Sequence, residues 1–276
     1  MGDICTSLYV GDKQQTSESE LDQRFEEYRG LSVQFGIFNP GLFQKLDHKR
    51  IAYSLKEHDV KLSAFHFPLI DIFQTKQFFS ILDTIIESYG SRLITLHPSK
   101  GSTLKALKLY ENHSQDVIDR EVVLAYENFA DRHGGKWVST ARQISRLQFP
   151  FIFLTYDMSH TARADDVLPE ISDYISSIAV VHLSDRKGRG KSSEKDLPLM
   201  TGELPLNPIL AVLRDSGCNA KIVLETHTNV AGRRKEINLL EDFFYRGVPL
   251  HLNSENARDI NTILISDSAG TVSLDS

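Results

Sequence analysis

The sequence has little cysteine and no long apolar segment. Cys5 and Cys218 are the only cysteines among 276 residues. Two cysteines are too few for a disulfide framework, and such usage is typical of a reducing compartment. No apolar run approaches the roughly 20 residues that a membrane-spanning helix needs, and the N-terminal residues lack the basic and apolar segments of a secretory signal peptide. These absences predict a cytoplasmic protein that does not contact a membrane.

The chain also lacks a Pro/Gly/Ser-rich linker in its middle. A length of 276 residues suits two modest domains or one α/β barrel, and the missing linker favours one domain. We expect this domain to cover residues 1–264 and the polar residues 265–276 to form a tail. The net charge of −6 argues against broad affinity for nucleic acid without excluding a local basic patch. Nothing in the sequence predicts the oligomeric state.

Short apolar runs alternate with amphipathic segments eight times. Such runs, bounded by polar residues, are typical of strands buried on both faces of a parallel sheet. Eight sequential βα units with right-handed crossovers close into an α/β fold, the (β/α)8 TIM barrel. An open doubly wound sheet is the alternative, and the absence of Gly-x-Gly-x-x-Gly after an early strand disfavours it. The predicted strands are 4–10, 31–38, 61–67, 93–96, 122–126, 151–156, 178–183 and 222–224, and the predicted helices are 17–28, 42–58, 73–89, 102–119, 137–146, 167–175, 208–216 and 238–246.

Acidic residues and histidines stand at the ends of most predicted strands. In a barrel of this type the carboxyl ends of the strands form the active site. A carboxylate at the end of a buried strand is costly unless its charge is compensated. The residues in these positions are His66, His97, Glu127, Asp157, His182 and Glu225.

We predict that a shared divalent cation compensates the charge of these carboxylates. Three carboxylates and one imidazole follow the fifth to eighth strands, and such a mixed set of oxygen and nitrogen donors suits Mn, Mg, Co or Zn. His66 and His97 follow the neighbouring third and fourth strands. They predict a second cation bridged by Glu127, and the added imidazoles favour zinc. The alternative is that each side chain makes its own ion pair or caps a helix.

Further polar residues near these strand ends are candidates for binding substrate. His160 lies three residues beyond Asp157, where it could contact substrate, bind a metal or orient Asp157. The loop over residues 185–196 is rich in Gly, Lys and Arg, which is typical either of a solvated loop or of an anion-binding loop over the barrel mouth. Its candidate residues are Asp185, Arg186, Arg189 and Asp196. His227 and His251 receive no assignment.

Four short motifs together resemble the xylose isomerase-like barrel superfamily. They are Tyr-Glu127-Asn128, Asp157-Met-Ser-His160, His182-Leu-Ser-Asp185 and Leu-Glu225-Thr226. The resemblance extends from the first predicted strand to the eighth. This superfamily includes sugar-phosphate isomerases and epimerases, and also apurinic endonucleases of the endonuclease IV type.

The two branches imply different chemistry. In the isomerase branch, the resemblance implies one cation held by Glu127, Asp157, His182 and Glu225, with the two glutamates moving protons on opposite faces of the substrate. In the endonuclease branch it implies three zinc ions, with His66 and His97 as additional ligands. The third zinc of that branch needs an Asp-x-His pair besides the equivalent of His160, but here Pro198 stands where the histidine should follow Asp196.

We therefore predict an isomerase or epimerase of a sugar, sugar phosphate or related polyol, with one or two divalent ions. Glu127 and Glu225 are its predicted catalytic pair. The incomplete Asp-x-His pair and the acidic chain favour this interpretation over the alternative, a metal-dependent apurinic endonuclease or phosphodiesterase. Its predicted partner is a small sugar or sugar phosphate, with nucleic acid disfavoured but not excluded. A barrel that binds sugar without catalysis is the second alternative.

Overall fold

A computed structural model of the chain describes residues 3–10, 18–70, 74–97, 111–128, 151–161, 163–188 and 194–251. Several sequence predictions lie outside these residues: the helix over 137–146, most of the helix over 102–119, the loop residue Arg189, and the chain beyond 251 with the predicted tail. In the described part of the chain, no helix is long and apolar enough to cross a membrane.

Eight parallel strands close into a barrel, as predicted. The barrel strands are β1 (Ile4–Val10), β2 (Ser32–Ile37), β3 (Lys61–His66), β4 (Leu93–Leu96), β5 (Val123–Glu127), β6 (Ile152–Asp157), β7 (Ile178–Leu183) and β10 (Lys221–Leu224). Following the ring from β1, each strand is hydrogen-bonded to the next in the order β1, β10, β7, β6, β5, β4, β3, β2. All eight pairings are parallel.

In the described part of the chain, helices follow seven of the eight barrel strands, all but β5, and contribute buried apolar residues to the core. Gly90 and Gly247 end two of them in the left-handed conformation, with φ of 67° and 69°, which glycine adopts without strain. The described α-helices are α1 (Glu18–Glu27), α2 (Pro40–Phe43), α3 (His48–Glu57), α4 (Thr75–Tyr89), α5 (Ser114–Asp119), α6 (Ala164–Tyr174), α7 (Leu206–Asp215) and α8 (Val230–Arg246).

The prediction of one helix over 42–58 is wrong, because the segment contains two capped helices. The side chain of Asn39 accepts a hydrogen bond from the Leu42 amide and caps α2. The side chain of Asp47 accepts one from the Arg50 amide and starts α3. An N-cap residue has non-helical backbone, so Asp47 interrupts the apolar periodicity that predicted a single helix.

Two further differences from the prediction lie after β7, towards the end of the described chain. The last helix starts eight residues earlier than expected, at Val230, where the Asn229 side chain accepts a hydrogen bond from the Gly232 amide. The polar segment after β7 is not only a loop, since β8 (Asp185–Lys187) and β9 (Glu194–Leu197) pair in an antiparallel hairpin. Charged residues hide this pairing from a search for apolar strands.

The barrel interior is apolar at one end and polar towards the other. Cys5, Ala125, Val180 and Val223 form a separate, fully buried apolar cluster within the strands. A second layer inside the barrel contains three buried polar side chains. Gln34 Nε2 donates to Thr95 Oγ1 at 2.7 Å, and Thr95 Oγ1 lies 3.1 Å from Thr155 Oγ1. This satisfied polar level supports the side chains at the carboxyl ends of the strands.

Candidate metal centre

Glu127 ends β5 and lies at the centre of a cluster of histidines and carboxylates. Its side chain is 2% exposed. Oε2 lies 3.4 Å from His66 Nε2 and 3.2 Å from His97 Nε2. Oε1 lies 3.4 Å from His160 Nδ1 and 3.5 Å from His182 Nδ1. The carboxylate therefore has imidazoles beside both of its oxygens.

The first group consists of His66, His97 and Glu127. The two Nε2 atoms are 3.1 Å apart and face the same carboxylate oxygen. A tetrahedral zinc ion with bonds of about 2.0–2.1 Å separates its ligand atoms by about 3.3 Å. The observed separations thus match one cation bound by all three residues.

Two further groups continue the cluster on the other side of Glu127. His160 Nδ1 lies 3.0 Å from Asp157 Oδ2, and these two residues form a group with Glu127. His182 Nδ1 lies 3.2 Å from Glu225 Oε2 and 3.9 Å from Asp157 Oδ2. The paired register of Asp157 with His182 on β6 and β7 brings these side chains together. The structure thus unites all six predicted ligands, together with His160.

The protonation of the cluster depends on burial and on the opposing charges. Burial lowers the pKa of His97 to about 4. Burial also disfavours a charge on His160 and His182, but Asp157 and Glu127 outweigh it and raise the pKa of both imidazoles to about 9. The pKa of Glu225 rises to about 8 because burial disfavours its anion.

Buried polar atoms without hydrogen bonds support a metal at this position. Among the described residues, Glu127 Oε2 and both ring nitrogens of His182 are buried and make no hydrogen bond. Unpaired buried polar atoms usually cost about 1–3 kcal/mol each. Imidazole nitrogens and carboxylate oxygens are ligands for zinc and manganese, so a bound cation would compensate this cost.

The comparisons identify the family. A family model described as xylose isomerase-like TIM barrel matches residues 41–243, which is most of the chain. The chain belongs to this family. No curated protein sequence is significantly similar to it.

Several solved structures have a similar fold and differ in their described activities. Endonuclease IV from Thermus thermophilus is 16% identical with a TM-score of 0.56, and the match covers 87% of this chain and 99% of that one. A D-psicose 3-epimerase, solved in the presence of D-fructose, is 10% identical with a TM-score of 0.61 and covers 87% and 99%. A xylose isomerase-like barrel protein from Mycobacterium smegmatis in complex with magnesium is 12% identical with a TM-score of 0.62 and covers 80% and 87%. These likenesses establish the fold but not the reaction.

In this xylose isomerase-like barrel, Asn128 connects the ends of two ligand-bearing strands. Its Nδ2 donates to the Asp157 carbonyl at 2.9 Å, and its Oδ1 accepts from the Asp157 amide at 2.6 Å. The Asn128 carbonyl lies 3.0 Å from His160 Nδ1. Through its side chain and its backbone carbonyl, one buried residue therefore links the end of β5 to Asp157 and His160.

Asp185 and Arg186 are predicted to bind substrate, but the structure places their side chains within the loops around the cluster. Asp185 accepts hydrogen bonds from the amides of Arg186 and Gly202, both at 2.8 Å. The Arg186 guanidinium is buried and donates to the carbonyl of Thr161. Both residues therefore position loops next to the candidate metal ligands. Arg189 lies outside the described residues.

Asp196 lies beside the cluster and close to a histidine that received no assignment. The His227 amide donates to the Asp196 carbonyl at 2.6 Å, and the two side chains approach to 3.8 Å. Burial and the nearby Asp157 carboxylate raise the pKa of Asp196. The fold thus brings the imidazole of His227 beside Asp196, although Pro198 replaces the histidine that the Asp-x-His motif would have there.

Two residues beside Glu225, Tyr9 and Arg233, are not among the predicted site residues. Tyr9 lies near the carboxyl end of β1, the position that selected the other candidates, and this position is the signal that could have found it. Arg233 in α8 donates to the Ser7 carbonyl and, at 3.1 Å, to the Thr226 carbonyl. It thereby joins the ends of β1 and β10 next to Glu225. No local pattern marked its role.

A cavity of about 690 Å³ opens at the opposite end of the barrel. The residues that line it include Leu93, Val123, Ile178 and Lys221 near the beginnings of their strands. None of the metal-ligand candidates lines it. Since active sites of such barrels form at the carboxyl ends of the strands, the functional site is assigned to the cluster around Glu127.

Proposed function

We propose that the protein hydrolyses phosphate esters, phosphodiesters in particular, with two or more divalent cations held in the cluster. The observation that carries this proposal is the position of Glu127 between imidazoles on both sides. A carboxylate with ligand groups facing each oxygen is suited to bridge two cations. A single-cation isomerase needs no counterpart of His66 and His97, although both lie within 3.4 Å of Glu127 Oε2.

The candidate ligands form two groups, one at each carboxylate oxygen of Glu127. His66 and His97 would hold one cation with Oε2, and Asp157, His182 and Glu225 would hold another. Bound pairs of divalent cations activate water and neutralise the charge that develops on a phosphoryl group during in-line displacement. His160, 3.0 Å from Asp157 Oδ2, would complete a third ligand set or orient Asp157.

The exposure of the side chains indicates where substrate would enter. The side chains of Glu127, Asp157, His66 and His182 are at most 3% exposed. Those of His97, His160 and Glu225 are 23%, 21% and 16% exposed. The partly exposed residues would thus face the substrate, while the buried ones keep the inner side of the cluster dry and strengthen its electrostatic interactions.

An isomerase or epimerase is the second candidate, as favoured by the sequence. Glu127 Oε1 and Glu225 Oε2 lie 3.5 and 3.2 Å from the same atom, His182 Nδ1. Two carboxylates beside one cation site could remove a proton from a substrate carbon and return it. The D-psicose 3-epimerase among the structural neighbours supports this candidate.

Metal content and turnover distinguish the two candidates. Protein purified without added metal is analysed for its elements, then assayed with bis(p-nitrophenyl) phosphate, abasic-site DNA and a panel of ketoses. We expect two or more zinc or manganese ions per chain and cleavage of a phosphate ester. One ion together with ketose conversion would establish the second candidate instead. Turnover of none of these substrates by the metal-loaded protein would contradict both.

The variant His97→Asn sharpens this test. It removes one imidazole from Glu127 Oε2 and leaves Asp157, His182 and Glu225 unchanged. We expect the loss of one ion and of at least about 100-fold in hydrolysis, whereas a one-cation isomerase would retain its metal. His58→Asn is the matched control, since it disrupts an exposed imidazole–carboxylate pair with Glu26, 2.9 Å apart and distant from the cluster.

A further inference from the structure

Tyr9 extends from β1 across the mouth of the barrel. β1 lies next to β10, so a side chain near its carboxyl end lies close to Glu225, which follows β10. The ring of Tyr9 packs 4.6 Å from that of Phe38 and edge-on to the His66 ring at 5.6 Å. Gly36 leaves the space for it, because a Cβ at that position would lie 2.8 Å from the tyrosine ring.

The hydroxyl of Tyr9 donates a hydrogen bond to Oε1 of Glu225. Gln34 Oε1 lies farther from this hydroxyl, at 3.5 Å. The orientation of the Gln34 amide is fixed, since its Nε2 donates to Thr95 at 2.7 Å. The second oxygen of Glu225, Oε2, lies 3.2 Å from His182 Nδ1 and belongs to the ligand cluster. The two oxygens of Glu225 therefore have different surroundings.

Asp157 shows the same division of its two oxygens. Its Oδ1 accepts a hydrogen bond from the Ser159 amide at 2.7 Å, while Oδ2 faces His160 at 3.0 Å. Glu127 differs, because imidazoles approach both of its oxygens. The cluster thus contains one carboxylate suited to bridging and two in which the protein holds one oxygen and presents the other.

We propose that Tyr9 is a positioning residue that makes Glu225 a one-oxygen metal ligand. Its hydroxyl holds Oε1, so that Oε2 stays directed towards Asp157 and His182, with which it would hold a cation. A carboxylate can bind a cation through one oxygen or two, and hydrogen bonds to the ligands orient them and tune affinity. This inference rests on the metal cluster of the proposed function but not on phosphate chemistry.

The test compares Tyr9→Phe with the unmodified protein in calorimetric titrations of metal-free protein with Zn²⁺ and Mn²⁺. The substitution keeps the ring and removes only the hydroxyl. We expect a loss of about 10- to 100-fold in affinity for one cation, the usual effect of removing a hydrogen bond to a metal ligand. Binding at the group of His66, His97 and Glu127 should keep its affinity.

Tyr53→Phe is the matched control. Tyr53 is exposed, and its hydroxyl donates to Glu57 Oε1 at 2.5 Å, so the variant breaks a tyrosine–glutamate hydrogen bond away from the cluster. We expect no change in metal affinity. An equal loss in both variants would overturn the inference, as would unchanged affinity in a folded Tyr9→Phe protein.

A double-mutant cycle shows whether Tyr9 acts through Glu225. On the Glu225→Gln background, Tyr9→Phe should cause no further loss of affinity. An additive loss would show that Tyr9 acts through another contact and would overturn the inference. These titrations contain no phosphate ester. They can therefore be interpreted even if the protein does not hydrolyse phosphate esters, and a negative result for Tyr9 does not contradict the proposed hydrolysis.

Discussion

Oε2 of Glu127 lies 3.2 Å from Nε2 of His97, on the side of the carboxylate that His182 does not contact. This relationship separates the cluster into two halves that share one residue. The candidate ligands of one half lie at the carboxyl ends of β3, β4 and β5, and those of the other half at the carboxyl ends of β5, β6, β7 and β10. A substitution in one half should therefore weaken metal binding in that half alone. Glu127 is the exception, because it belongs to both halves.

Glu127→Gln should remove metal from both halves. The amide keeps the size of the side chain but loses the negative charge that the surrounding imidazoles and cations need. We expect fewer than one ion per chain after dialysis, measured by elemental analysis. Glu236→Gln is the control, since Glu236 is a buried carboxylate bonded to the Leu199 amide at 2.7 Å and has no imidazole partner among the described residues. Retention of two ions by Glu127→Gln would falsify the bridging role.

Metal affinity should rise with pH between about 6 and 9. His160 and His182, each with a pKa of about 9, carry protons at neutral pH in the metal-free protein. A cation must displace these protons, so lower pH favours the metal-free form. Titrations in two buffers of different ionisation enthalpy should show proton release on binding. Affinity that stays constant over this range would contradict the assignment of His182 as a ligand.

The metal-free protein should lose stability as the pH rises from about 6.5 to 9. The folded-state pKa of His182 is raised to about 9, so its stabilising charge is fully present below the unfolded value and is lost as pH rises through the folded one. Glu225, with its pKa raised to about 8, is increasingly destabilising over the same range. Urea unfolding at several pH values measures this trend, and bound metal should reverse it. Stability that increases across this pH range would show that the raised pKa values of His182 and Glu225 do not determine how stability depends on pH.

Asn128→Ala should weaken both the fold and the metal site. It breaks two buried hydrogen bonds to the Asp157 backbone, at 2.6 and 2.9 Å, which should cost about 2–4 kcal/mol in the free energy of unfolding. Asp157 and His160 would also shift, and metal affinity should fall about 10-fold or more. Asn207→Ala breaks a similar amide bridge, to the Leu250 backbone at 2.8 and 3.1 Å. This control should destabilise the protein without weakening metal binding.

Asp185→Ala should destabilise the protein by about 3 kcal/mol. The carboxylate accepts hydrogen bonds from the buried amides of Arg186 and Leu204 and from Gly202, all of which would lose their partner. Urea denaturation measures the change. The control Asp165→Ala removes an exposed carboxylate paired with Arg163 at 3.3 Å and should cost under about 0.5 kcal/mol. A stability equal to that of the control would mean that the loop does not depend on Asp185.

Local patterns in the sequence predicted the strands and the six metal-ligand candidates. The first, fourth and seventh predicted strands have the bounds seen in the structure, residues 4–10, 93–96 and 178–183. Buried parallel strands leave a clear signal, because both faces must be apolar until the chain reaches the mouth. Once the chain is a barrel of parallel strands, all carboxyl ends meet at one rim. The ligands could thus be predicted without knowing their contacts.

Only the tertiary structure decided which atoms face one another. The sequence could not show that Oε2 of Glu127 faces His66 and His97 while Oε1 faces His160 and His182, nor that Tyr9 holds one oxygen of Glu225. The sequence also could not show that His227 lies beside Asp196, because a helix and a strand separate the two residues along the chain. Such contacts depend on strand register, side-chain rotamers and loop closure over long sequence distances. Strand ends follow from local burial, whereas the partners of each polar atom follow from how the whole barrel closes.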